Sequence, residues 1–249
     1  MKKTGVLISV ILILSIFVPV LAFAGKPVKE PRTLERKVFI HYKKGYGKPD
    51  WVADKKPPKD DGHDSHYALL GKGVAWKDSL PLDVVVNPTN DDGLTISFIT
   101  DAVEASVGEW DFWTSMDLFQ ASVSTSSTAD FDLDEPDGDN EIVFGDWEET
   151  GVIAICYTWG YFSGKPSSRR IVEFDIMLDT DFTWGDGYEY SDLMDVQNIV
   201  THEVGHGIGL ADIYDCELET MYGHSNYGDI EKRDLYDGDK AGLYELYGP

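Results

Sequence analysis

Two histidines four residues apart, His202 and His206, with Glu203 beside the first and a glycine-broken stretch behind the second, restrict this chain more than any other feature. On a helix, such residues lie one turn apart on one face, offset by about 6 Å along the axis, so both imidazoles can reach one metal ion. Glu203 is then rotated about 100° from His202, beside the metal and within reach of a water there. With 6 His in 249 residues, the spacing H-E-x-x-H arises by chance on the order of 0.01 times per chain, so it is treated as a signal. Gly205, Gly207 and Gly209 follow, each costing a helix interior roughly 1 kcal/mol relative to Ala. An unbroken helix would carry Asp212 about 15 Å along the axis from His202, too far to share a metal. The chain must turn near Gly209, where glycine permits a positive φ, and Asp212 can then swing back as a third ligand. Zinc accepts carboxylate oxygen, and its catalytic sites use three protein ligands plus an open position. His224, Asp215, Glu217 and Glu219 are the rival third ligands.

Charge divides the chain. The net value is −24, from 21 Lys plus Arg against 45 Asp plus Glu, which argues against a nucleic-acid partner. Residues 25–75 carry 12 basic and 7 acidic side chains, whereas residues 76–249 carry 7 basic and 38 acidic. Ahead of both, Lys2 and Lys3, the apolar run Val6 to Leu21, and Ala22-Phe23-Ala24 form the three parts of a secretory signal cut after Ala24. An uncleaved membrane anchor is the alternative, and either reading places the rest outside the cytoplasm. Residues 25–66 are Lys- and Pro-rich without a sustained apolar period and read as a prosegment or linker, a basic strap across an acidic cleft or a solvated spacer. His63 and His66 there are candidate metal ligands of a latent form.

Residues 67–249 have the pattern of one folded domain, and 42% apolar residues suffice for a sizeable core. "LPLDVVVNP" is a short β-rich run. Ile96, Ile99, Val103, Val107 and Trp110 fall at spacings of three or four, an amphipathic helix of about five turns. "NEIVFGDW" and "GVIAICYTW" are strands. "IVEFDIMLD" alternates, with Val172, Phe174, Ile176 and Leu178 on one face and Glu173, Asp175 and Asp179 on the other. The metal-site helix runs from an N-cap at Ser191 or Asp192 to about Ile208, and a last helix forms near "DGDKAGLYELYG".

H-E-x-x-H-x-x-G-x-x-D, followed nine residues later by Met221 in "ETMYG", resembles the zinc signature and Met-turn of the metzincin metallopeptidases, and matrixins most closely. The last helix and "IVEFDIMLDTDFTW" resemble the corresponding matrixin segments, and the likeness spans roughly Leu70 to Gly248. Asp212 departs from the matrixin His and resembles the third ligand of snapalysin-type enzymes. Residues 25–75 contain no Cys, so the cysteine switch of matrixin latency is absent. The resemblance implies an α+β fold with a twisted mixed sheet, two long helices, a Met-turn and a C-terminal helix. It implies a secreted, monomeric zinc endopeptidase acting on polypeptides, with no stable membrane association after signal cleavage. Zinc would be held by His202, His206 and Asp212, with Glu203 as general base to a zinc-activated water, Met221 as an apolar floor, and Tyr222 on the cleft wall or bonding the tetrahedral intermediate. By the same resemblance "GVIAICYTW" is the edge strand along which substrate extends; a buried central strand is the other reading.

Oxygen-rich loops suit calcium. One holds Asp130, Asp132, Asp134, Asp137 and Asp139; the other holds Asp179, Asp181, Asp186 and Glu189, of which Asp179 and Asp181 lie where matrixins carry calcium ligands. Solvated acidic loops are the alternative. Cys156 and Cys216 are either a disulfide, the favoured reading, or two free thiols. The competing functional class is a secreted zinc- or calcium-binding envelope or interaction protein without catalysis.

Overall fold

The structure is a computed structural model that describes residues 32–47 and 66–249. The signal reading of residues 1–24, the remainder of residues 25–66 and His63 lie outside the described residues. The elements run β1 (Glu35–Lys43), β2 (Ala68–Leu69), β3 (Val85–Val86), α1 (Ile96–Phe112), β4 (Ser124–Thr125), β5 (Glu141–Gly145), β6 (Val152–Tyr161) and β7 (Arg170–Asp179). There follow β8 (Trp184–Gly185), β9 (Met194–Asp195), α2 (Val196–Gly207), β10 (Leu210–Ala211), β11 (His224–Ser225) and α3 (Asp237–Tyr247). A seven-stranded mixed sheet has the order β11-β1-β6-β7-β5-β3-β4, and α1 and α2 pack together against one face. The α+β architecture with its C-terminal helix is the expected one.

The periodicities explain the layers. In α1, Ile99, Val103, Val107 and Trp110 are buried while Ile96 is 59% exposed, so the inward stripe starts one turn late. Phe174, Ile176 and Leu178 of β7 join Val200, Val204 and Trp110 in the main core. The alternation of β7 does not separate core from solvent, however, because Glu173, Asp175 and Asp179 are buried too, on a face shared with a second core of Tyr42, Val143, Val152, Ile155, Tyr157 and Met177.

Two expectations are corrected by β1. The stretch read as lacking an apolar period contains a nine-residue strand, in which Phe39 and His41 turn toward α2 while Ile40 and Tyr42 meet the second core. Lys and Arg at its ends hide the short alternation VFIHY in a basic composition. Consequently β6 is an inner strand, antiparallel to β1 from Glu35↔Gly160 to Tyr42↔Val152 and to β7 on its other side. The disulfide is not formed. Both cysteines are free, with Cys156 buried in β6 beside the Thr158 hydroxyl.

Candidate metal centre

Helix α2 starts at Asp195, three or four residues later than the sequence suggests. Its carboxylate accepts the Asn198 N–H at 2.7 Å and the Gly187 N–H at 2.8 Å, and Arg233 anchors it from across the site. Ser191 and Asp192 are chemically equivalent caps; the distant arginine decides among them. At the other end, where the glycines leave the helix weak, Trp76 Nε1–H donates to the Gly207 carbonyl and the Tyr247 hydroxyl to that of Ile208. Two orphan carbonyls are thereby satisfied from other elements. Gly209 takes φ +112°, the turn begins there, and β10 pairs with β2, returning Asp212 to the metal-site face.

Three donors converge. His202 Nε2 and His206 Nε2 are 3.1 Å apart, and Asp212 Oδ1 lies 3.2 Å from the first and 3.5 Å from the second. Tetrahedral zinc with bonds near 2.0–2.1 Å would hold donors about 3.3 Å apart. Both rings present Nε2 because each Nδ1–H donates to a backbone carbonyl: His202 to Thr220 at 2.6 Å, and His206 to Leu210 at 3.1 Å. Two inward lone pairs then face a carboxylate whose oxygens are buried without a hydrogen-bond partner, an arrangement that calls for a cation at its centre. Burial pushes Glu203 up to about 8 and His202 down to about 3.

Met221 lies fully buried against α2, where a Cβ on Gly205 would collide with its sulfur and approach Trp110 to 2.8 Å. The Met-turn is fixed from α3: Asp239 accepts the N–H groups of Thr220 at 2.7 Å, Met221 at 3.0 Å and Tyr236 at 3.0 Å. The rival third ligands are engaged elsewhere. Asp215 is 3.5 Å from His66, Glu217 pairs with Lys44, Glu219 accepts the Asp239 N–H, and His224 sits in β11 against Tyr214 and Tyr222.

Two neighbours escape sequence reading. Lys232 is buried, donates to the Tyr222 carbonyl and is pushed by desolvation down to about 7. His41 of β1 places Nδ1 3.1 Å from Glu203 Oε1 and Nε2 3.1 Å from Ser225 Oγ. A short run flanked by lysines was the only sequence signal for it.

A mixed sheet backed by two helices, two helical histidines, an aspartate returned by a glycine turn, and a methionine floor define a metzincin-type metallopeptidase domain. The chain belongs to the matrixin family, whose family model matches residues 75–248, and is therefore placed among zinc metallopeptidases with polypeptide substrates. No curated protein matches the chain. Among the described residues no helix is long and apolar enough to cross a membrane.

The acidic loops are only partly assembled. Asp179 and Asp181 meet Asp146, while Asp186 pairs with Arg233. Asp130 and Asp132 meet Glu141, and Asp132 also meets Glu173 and Asp175. Among the described residues Asp134, Asp137, Asp139 and Glu189 join no such group. Glu141, Glu173 and Asp175 come from neighbouring strands, with Glu141 in register with Asp175, a pairing invisible before the sheet is known.

Proposed function

We propose that this chain is a secreted zinc-dependent metalloendopeptidase in which His202, His206 and Asp212 hold zinc and Glu203 is the general base. The observation that carries the reading is the 3.1, 3.2 and 3.5 Å triangle of donors with unpartnered Asp212 oxygens at its corner. Zinc bound there supplies the Lewis acidity that activates a water and polarises a scissile carbonyl. Glu203, adjacent to His202 on α2, would take the proton from that water and deliver it to the leaving amine. Met221 keeps the ligand floor apolar, and Tyr222, the next residue, is assigned to the cleft wall. Main-chain pairing along the side of β6 that β1 occupies in this structure would position an extended substrate once that side is free.

Calcium is assigned to Asp179 and Asp181 with Asp146, and to Asp132 with Glu173 and Asp175. In support, Asp179 Oδ2, Glu173 Oε1 and Asp175 Oδ2 are buried without hydrogen-bond partners.

The test is zinc content per chain together with proteolysis of an unfolded protein by the secreted product. Glu203→Gln is expected to keep zinc and lose activity by roughly 10²–10⁴-fold. Absence of stoichiometric zinc, or full activity in the variant, refutes the reading. Unfolding by a chelator without any prior activity favours the non-catalytic metal protein.

A further inference from the structure

Strand β1 lies along the path required of an extended substrate. It runs antiparallel to β6 over eight paired positions and parallel to β11 through Tyr42↔His224 and Lys43↔Ser225, closing the groove from both sides. Its side chains meet the proposed machinery directly. The Phe39 ring stacks on His206 at 4.0 Å and 8°, the His41 ring stands edge-on to His202 at 4.1 Å, and His41 Nδ1 bonds Glu203. With β1 in place His202, Glu203 and His206 are at most 1% exposed, so no substrate carbonyl can reach them.

The strand also differs from the domain it covers. It precedes the family-matched part, which begins at residue 75, and joins it through residues 48–65. Basic side chains fix it at both ends: Lys44, just past the strand, pairs with Glu217 at 3.0 Å, and the Arg36 guanidinium lies over the Tyr157 ring, 4.1 Å from its centre. Arg36, Lys37 and Val38 face solvent.

We propose that Glu35–Lys43 is a tethered inhibitor, a strand that fills the substrate groove in its own chain while His41 engages Glu203, so that turnover requires its displacement. The inference rests on the peptidase reading and assigns regulation to that site without a cysteine. It also names the ligand class of the groove as an extended peptide with an aromatic ring over His206 and basic ends.

The full chain carrying Phe39→Asp is compared with wild type by three measurements: cleavage of a peptide mixture, amide exchange over residues 35–43 and 152–161, and binding of a labelled synthetic peptide of residues 35–43. The variant is expected to cleave at least tenfold faster, to lose protection in β1, and to bind the peptide, which wild type excludes and which restores inhibition. Equal cleavage with β1 still protected and no peptide binding overturns the inference while leaving the peptidase reading intact. Peptide binding confined to the variant, with zinc bound and no cleavage by any form, supports the tethered strand and refutes the peptidase. If Phe39→Asp does not fold, a specific protease site inserted in residues 48–65 replaces it: nicking must release β1 and raise activity, and unchanged activity overturns the inference.

Discussion

At the residue scale, Asp212 and Asp239 have opposite duties. Asp212 faces the two Nε2 lone pairs with no hydrogen bond of its own, so under the proposed zinc assignment its removal would leave two imidazoles and an incomplete ligand set. Asp212→Ala is expected to weaken zinc binding by at least tenfold, whereas Asp212→His, which restores the matrixin donor, should retain stoichiometric zinc; competition with a chelating dye reads both. Asp239 never touches the donors, yet it accepts the Thr220 and Met221 N–H groups, and the Thr220 carbonyl orients His202. Outer partners of this kind are worth 10–100-fold in metal affinity, so Asp239→Ala should fall in that range, and an unchanged affinity would show that His202 is oriented by other means. Gly205→Ala must displace Met221 or Trp110. A loss of about 1–3 kcal/mol is expected for overpacking a site this tight, measurable by urea unfolding of the zinc-free protein.

At the element scale, α2 is short for its task and borrows stability at both ends. Asp195 is a cap, an anchor for the loop at Gly187 and the partner of Arg233. A lost cap alone costs about 1 kcal/mol, and here Arg233 would also lose one of its two carboxylates. Asp195→Ala should therefore destabilise the fold by more than Asp192→Ala, a comparison made by denaturant midpoints; equal midpoints would return the cap to the position the sequence suggested. The alternation of β7 marked its two faces but not their fates. Both faces are covered, and the acidic one is buried because the loop carrying Asp132 and Gly138 lies over it, Asp132 beside Glu173 and Asp175 and the Gly138 N–H donating to Glu173.

At the scale of the whole molecule, the acidic charge is a stability term with a sign. Burial pushes Glu141 up to about 7, Glu173 to about 8 and Asp175 to about 9, against ordinary values near 4. Below pH ~4 both folded and unfolded chains hold these protons and nothing is lost. Between there and the raised values the folded chain retains protons that the unfolded chain has released, so stability falls with rising pH, and above about 9 the loss is complete. A divalent cation bound by these carboxylates, as proposed above, would take the place of those protons. In chelator the melting temperature should fall from pH 5 to pH 9, and millimolar calcium should raise it more at pH 8 than at pH 5. A calcium effect that is absent, or larger at pH 5, would remove these carboxylates from the list of calcium ligands.

By itself the sequence determined the metal-site helix, the turn at Gly209 and the return of Asp212. It also placed Met221, the inward stripe of α1 and the order of most elements, because each rests on spacing within a few residues of one another. The tertiary structure decided what depends on distant partners. Arg233 selects Asp195 as the cap, and strand register gathers Glu141 and Asp175. Asp239 holds the turn at Met221, and β1 pairs with β6, whose edge offers backbone donors and acceptors that a short basic run could only satisfy once that edge existed.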